Sequence, residues 1–190
     1  MKKLFVLVIA SVLLFACNKK PLTEEEKKEE LMDKIRDDDN PYQTLRSKAF
    51  NVSPEELGLE TPKDSLAVFG IVMDWSIDED IATTVAFQTG DASLYFSSGG
   101  AVIGGGQYEN VNTAAKEFVL VAKKYLSDSE SIKSPIPAEG YVGFHLLTNK
   151  GVYGSFYEEM KNIENGSSKF TPLFETGNEL ITQIRNRSRD

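Results

Sequence analysis

Residues 66–73 read LAVFGIVM, eight positions in a row without a charged or hydrogen-bonding side chain. An uninterrupted apolar run of this length is expected for a strand buried on both faces. The chain after it keeps the strand period but alternates. In DIATTVAFQ, Ile81, Thr83, Val85 and Phe87 share one face, and Ala82, Thr84 and Ala86 share the other. Thr89-Gly90 makes a tight turn into DASLYFSS. There the alternation predicts Ala92, Leu94 and Phe96 inward, with Ser93, Tyr95 and Ser97 outward. These three strands form a meander. A second hairpin follows, YVGFHLLT and VYGSFYEE, joined at Asn149-Lys150-Gly151.

Helical spacing is clearest after the meander. Val111, Ala114, Ala115, Phe118, Val121, Ala122 and Tyr125 form one apolar stripe, with Asn110 as the expected N-cap. Near the end of the chain, Leu173, Phe174, Gly177, Leu180, Ile181 and Ile184 form another, and Gly177 on that stripe predicts a close approach to the sheet. NVSPEELGLETP reads as a short helix with Ser53 as N-cap, Pro54 next to it and Gly58 as its stop. The order is helix, three strands, helix, two strands, helix. It predicts an α+β fold, a five-stranded mainly antiparallel sheet flanked by helices, in one domain over residues 46–190. This order resembles the roadblock and profilin-like arrangement, a resemblance of element order that carries no motif.

The first residues bear on where the chain resides. Met1-Lys2-Lys3 precedes a twelve-residue apolar run, too short to span a bilayer comfortably and of signal-peptide length. The run ends in Leu14-Phe15-Ala16-Cys17, followed by Asn18-Lys19-Lys20. This resembles the lipobox of bacterial lipoproteins, and LLFACNKK is of the kind used in Bacteroidota. Asp64-Ser65-Leu66 also resembles the O-glycosylation signal of that group. The lipobox implies a signal peptide over residues 1–16, cleavage before Cys17, and acylation of Cys17 through a thioether-linked diacylglycerol and an amide-linked chain. The alternative is an ordinary secretory peptide with an incidental cysteine. More than one acyl chain makes anchoring stable, so the expected location is the bacterial cell envelope, membrane and leaflet open. Residues 17–45, rich in alternating acid and base, read as a tether, partly helical with Thr23 as a cap.

Cys17 is the one cysteine in the chain, so no thiol remains for a disulfide, a metal or catalysis. The formal charge is −8, and cleavage, which removes Lys2 and Lys3 and no acid, takes it to −10. Such a chain repels nucleic acid, and a nucleic-acid partner is excluded.

Three segments raise the question of chemistry. The glycine-rich stretch SSGGAVIGGGQYEN, with Gly104, Gly105 and Gly106, precedes the main helix as a phosphate loop does. The lysine of a P-loop is replaced by Gly105, however, and no Lys or Arg occurs from residue 64 to residue 115, a span with seven acids. The glycines therefore read as a backbone bend that borders any pocket nearby. DWSIDED alternates acids as an EF-hand does, but Glu79 stands at its turn glycine and Val85 at its bidentate glutamate, so it reads as a polar hairpin loop. His145, the one histidine, shares a strand face with Tyr141, Gly143 and Leu147. One histidine and no free cysteine exclude the common zinc sites, and no cofactor is expected. A Ser-His-Asp set drawn from Ser93 or Ser97, His145 and Asp91 is the catalytic alternative to a satisfied strand histidine. Trp75, Ser93, Tyr95, the three glycines and His145 are the candidate pocket or contact residues. The leading expectation is a lipid-anchored module that binds or scaffolds another protein. The alternatives are a hydrolase using His145, or an anion or small-ligand sensor at the glycine bend.

Overall fold

The computed structural model describes residues 23, 26, 29, 40–131, 133 and 136–187. The expected signal peptide, Cys17 and most of the tether lie outside them. Among the described residues, the helices α1 (Pro41–Asn51), α2 (Glu109–Lys123), α3 (Met160–Glu164) and α4 (Thr171–Arg187) accompany seven strands. The long strands are β1 (Val68–Ile77), β2 (Asp80–Phe87), β3 (Ala92–Phe96), β6 (Tyr141–Thr148) and β7 (Gly151–Glu159). The two-residue strands β4 (Ala101–Val102) and β5 (Glu130–Ser131) complete the sheet.

The sheet order is β4-β3-β2-β1-β6-β7-β5, and every neighbouring pair is antiparallel. The fold is therefore α+β. The expected count of five strands is corrected to seven by β4 and β5, which cap the two edges. Two residues carry no alternation for a sequence pattern to detect. β4 returns to β3 because Gly99 and Gly100 both take positive φ (103° and 92°), which lets the Phe96 N–H reach the Gly100 carbonyl at 3.1 Å.

β1 lies at the centre and is buried on both faces, as its apolar run requires. Each face of the sheet has its own core. Ile71 and Met73 pack with Phe118 of α2 and Leu180 and Ile184 of α4, whereas Phe69 and Val72 pack with Tyr42 and Ala49 of α1. A β-bulge divides these sets. Val68 pairs with Thr148 and Gly70 with Leu147, so Phe69 is the extra residue and the strand changes parity there. Gly177 approaches the sheet closely: a Cβ there would stand 2.8 Å from Met73 Sδ and 3.0 Å from Phe118 Cζ.

The structure corrects three local expectations. Tyr95 and Ser97 do not face solvent, and Ser93 is only half-exposed. Tyr95 is 6% exposed and Ser97 fully buried, because α1 covers that face of β3. Ser97 Oγ bonds the Asp80 carboxylate and accepts from the Ile81 N–H at 2.9 Å. The domain also begins before residue 46. Asn40 caps α1, its Oδ1 accepting from the Tyr42 N–H at 3.0 Å and its Nδ2 donating to the Ser97 carbonyl at 2.7 Å. Asn-Pro reads equally as the stop of one helix and as the cap and first residue of the next. Finally, α2 starts at Glu109 rather than after an Asn110 cap. The Asn110 amide instead bridges to α4, donating to Gln183 Oε1 at 2.5 Å and accepting from Arg187 Nε at 3.2 Å. Two expected caps are present. Ser53 and Glu56 exchange backbone bonds around a 3-10 turn that ends at Gly58 (φ 66°), and Thr23 and Glu26 do the same in the tether.

The glycine bend ends in a 3-10 turn, Gly105–Gln107, that leads into α2. A Cβ on Gly106 would meet the Asp91 Cα and the Gly90 carbonyl oxygen, each at 2.8 Å, and these backbone atoms have no room to yield. Against Gly177 the obstacle is the flexible end of Met73. Gly106→Ala is therefore expected to cost more than Gly177→Ala, toward the upper end of about 1–3 kcal/mol for overpacking. Urea denaturation of the two variants measures the order, and equal losses would refute the assignment.

Candidate functional site

One row of side chains crosses the sheet on the α1 face. Tyr95 pairs with Thr83, Thr83 with Asp74, Asp74 with Gly143, and Gly143 with Tyr157. His145 lies one step along β6, on the same face as Gly143. Asp74 is 0% exposed, and a buried carboxylate must be met by donors or be protonated. Four donors meet it. Arg46 of α1 reaches Oδ2 through Nη2 at 2.5 Å and both oxygens through Nε at 3.2 Å. Thr83 Oγ1 donates to Oδ1 at 2.5 Å, and His145 Nε2 lies 3.1 Å from Oδ2. Thr83 has one hydrogen and gives it to Asp74, so Tyr42 O–H donates to Thr83 across 2.7 Å. α1 is thus tied to the sheet by a polar chain two side chains deep.

The charges respond to one another. Burial alone would raise the Asp74 pKa, but the Arg46 charge and the bonds from His145 and Arg46 outweigh it and hold the carboxyl well below its usual range. Arg46 is itself held charged, the Asp74 carboxylate outweighing the cost of its burial. Burial, then the Asp74 charge, pushes the Tyr42 phenol upward, and the same two causes push Tyr157 up to about 12.

His145 is fully buried. Phe50 of α1 meets its ring edge-on, with centroids 5.3 Å apart, and Tyr157 does so from β7 at 6.1 Å. Gly143 keeps this space open, since a Cβ there would stand 3.0 Å from the Tyr157 ring and 3.4 Å from His145 Nε2. Because Asp74 is ionised it can only accept, so the hydrogen in their bond belongs to Nε2. Nδ1 is buried, and among the described residues none bonds it. A carboxylate holding one imidazole nitrogen while the other stays basic is the orientation a general base uses. Here that base is enclosed.

The other candidate residues do not join it. Trp75 faces the opposite core and meets Phe174 of α4 edge-on at 5.1 Å, so the sheet separates it from His145. Ser93 shares a cross-strand row with His145, but Val85 and Val72 stand between them. Three strand spacings amount to roughly 14 Å. Ser97 is committed to Asp80. The Ser-His-Asp set is therefore not assembled. Tyr95 lies on the His145 face, at the far end of the Asp74 row. Gly104 adopts the left-handed conformation (φ 72°), Gly105 packs against Val111, and Gly106 packs against Asp91, whose carboxylate makes the bend hostile to an anion.

DWSIDED also differs from its expectation. Asp78 and Glu79 alone form the turn, and Asp78 has a positive φ of 51°. Asp74 and Ser76 are buried in β1, and Asp80 in β2 bonds both Ser97 and Ser98. The sequence reading thus missed the central carboxylate. A usable signal exists, because Asp74 sits two residues after Val72 in a strand buried on both faces. Arg46 gave no such signal, as nothing local pairs it with a residue 28 positions away. Among the described residues, no group of three or more His, Cys, Asp or Glu side chains is placed to hold a metal ion, and no helix is long and apolar enough to cross a membrane. No protein-family model, curated protein or solved structure matches the chain.

Breaking the buried pair from one side is expected to cost about 3–5 kcal/mol. Arg46→Met should show this loss in urea denaturation, and Arg46→Met combined with Asp74→Leu should recover much of it. The acid limb provides a second test. The folded carboxyl titrates below its ordinary value of 3.8, so the pair's stabilisation is present above about pH 4 and is lost as pH falls further. Asp74→Asn should flatten that dependence, and an unchanged acid limb would contradict the assignment.

Proposed function

We propose that this chain is a lipid-anchored protein of the bacterial cell envelope whose α+β domain binds another protein. One observation carries the reading. On the sheet face opposite α1, the helices α2 and α4 leave an open groove of about 630 Å³ between them. Ala114, Thr113 and Thr176 are small enough to leave room in it, and Glu109, Glu117 and Glu179 rim it. The lipobox-like LFAC at residues 14–17 and the charged stretch up to Asn40 support the anchoring part. A chain that enters the domain through α1 leaves the groove on the face that its first helix does not occupy.

The alternatives have less support. A hydrolase using His145 would need a serine beside the ring, and neither Ser93 nor Ser97 stands there. An anion sensor at residues 99–106 would set its ligand beside the Asp91 carboxylate. The element order shared with roadblock and profilin-like folds agrees with a binding module, but the two extra edge strands set the count apart. The expected partner surface is polar to basic, complementary to the glutamates at the rim.

Two experiments address the two parts. Cys17→Ala is expected to move the protein out of the membrane fraction, and unchanged partitioning would remove the anchor. A photo-crosslinking side chain at Thr113, in intact envelopes, should yield one defined adduct that the same group at Ser47 on α1 does not. Glu117→Lys with Glu179→Lys should abolish that adduct. Identical adducts from both positions, or none, would argue against a specific surface in the groove.

A further inference from the structure

We propose that the groove between α2 and α4 receives a basic amphipathic helix, laid lengthwise along the two; this rests on the binding reading above and names the occupant. The two helices run antiparallel. Asn110 at the start of α2 bonds Gln183 and Arg187 toward the end of α4, and Tyr125 O–H, just past α2, donates to the Lys169 carbonyl ahead of α4 at 2.9 Å. Each helix gives one straight row to the groove. On α2, Glu109, Thr113 and Glu117 recur at every fourth residue, and on α4 the row runs from Thr176 through Glu179 and Gln183 at spacings of three and four. Two such rows with small side chains between them make a trough, and its inner surface is more apolar than polar.

The trough has an apolar contact at each end. Leu120 lies two turns beyond Thr113 on the same row and is 53% exposed. Tyr108, directly before α2, is 39% exposed, with the Arg187 guanidinium 5.3 Å over its ring. Along the helix axis these ends stand about 18 Å apart, a little over three helical turns. Charge decides what fits between them. Glu109 and Glu117 flank the trough on one side and Glu179 on the other, which matches a helix carrying Lys or Arg on both sides of an apolar stripe. The same glutamates disfavour the two occupants that this chain itself could supply. A second copy, docked groove to groove, would set them against their own images. The stretch EEEKKEELMDKIRDDD, residues 24–39, holds nine acids and four bases and is repelled as well.

The probe is a fluorescein-labelled peptide with leucine at i, i+4, i+7 and i+11, lysine on both flanks of that stripe and alanine elsewhere, titrated into the full chain while its anisotropy is followed. It is expected to bind saturably. A twin with proline in place of a central alanine, equal in charge, should bind more than about tenfold more weakly, because it cannot form the helix. Thr113→Trp fills the trough and should abolish binding, and Leu120→Ser should weaken it about tenfold. Both positions are exposed, and unchanged urea midpoints show that the fold is kept. Equal binding of the proline twin would overturn the helix, since charge alone then holds the peptide. Binding indifferent to Thr113→Trp or to Leu120→Ser would overturn its seat in the trough. The assay does not use the natural partner, so the two readings fail separately. A lysine peptide that does not bind, beside a defined Thr113 adduct in envelopes, overturns the helical occupant alone, whereas a missing adduct removes the partner.

Discussion

The Asp74 carboxylate, enclosed on the sheet face beneath α1, governs how the rest of the structure is arranged. Once a charge is placed in the interior, its donors have to come from several elements at once, because no single strand can present four. Here they come from α1, β2 and β6. Arg46 commits α1 to one position over the sheet, Thr83 extends the network to Tyr42, and His145 is turned so that its Nε2 meets the carboxylate. A buried ion pair contributes little net stability compared with an apolar replacement, so its clearest consequence is register. An apolar helix can slide by a turn at modest cost, but α1 cannot do so without leaving Asp74 unpaired.

The two faces of the sheet solve the packing problem differently. Toward α2 and α4 the interface is apolar and close, with Met73 and Phe118 against Gly177. Toward α1 a thin apolar layer encloses a polar centre. The bulge at Phe69 permits this. By shifting the parity of β1, it puts Phe69 and Val72 on one face and Val68, Ile71 and Met73 on the other, and Asp74 falls in line with Val72. Without the extra residue, either Phe69 or Asp74 would lie on the wrong side.

Much of the fold is legible in the sequence because long elements repeat their period. The five long strands and the helices α2 and α4 follow from alternation or from an apolar stripe, and Gly177 could be read as a close approach from its place on the stripe. The two edge strands could not, since a pairing of two residues depends on what lies beside it. The covered face of β3 was misread for a related reason. Alternation identifies two faces, but it does not say whether a helix elsewhere in the chain covers the polar one, and α1 does so through Tyr42, more than forty residues before Ser93 and Tyr95. The candidate site was legible only in part. His145 stands out as a single histidine on a strand face, whereas its meaning comes from Asp74 and Arg46. That relation is long-range, and neither composition nor period encodes it.

The same network separates what this domain offers to chemistry from what it offers to binding. A carboxylate behind an imidazole is half of a catalytic arrangement, and neither Ser93 nor Ser97 supplies the other half. Ser93 is kept away by two intervening strands, and Ser97 is bound to Asp80, so small movements would not complete the set. Phe50 at the end of α1 and Tyr157 of β7 enclose the ring on that face. The charge arrangement agrees with this. With Asp74 ionised and Arg46 beside it, the Nε2 hydrogen stays in that bond, and the imidazole serves as one of the donors that hold α1 and the sheet in register.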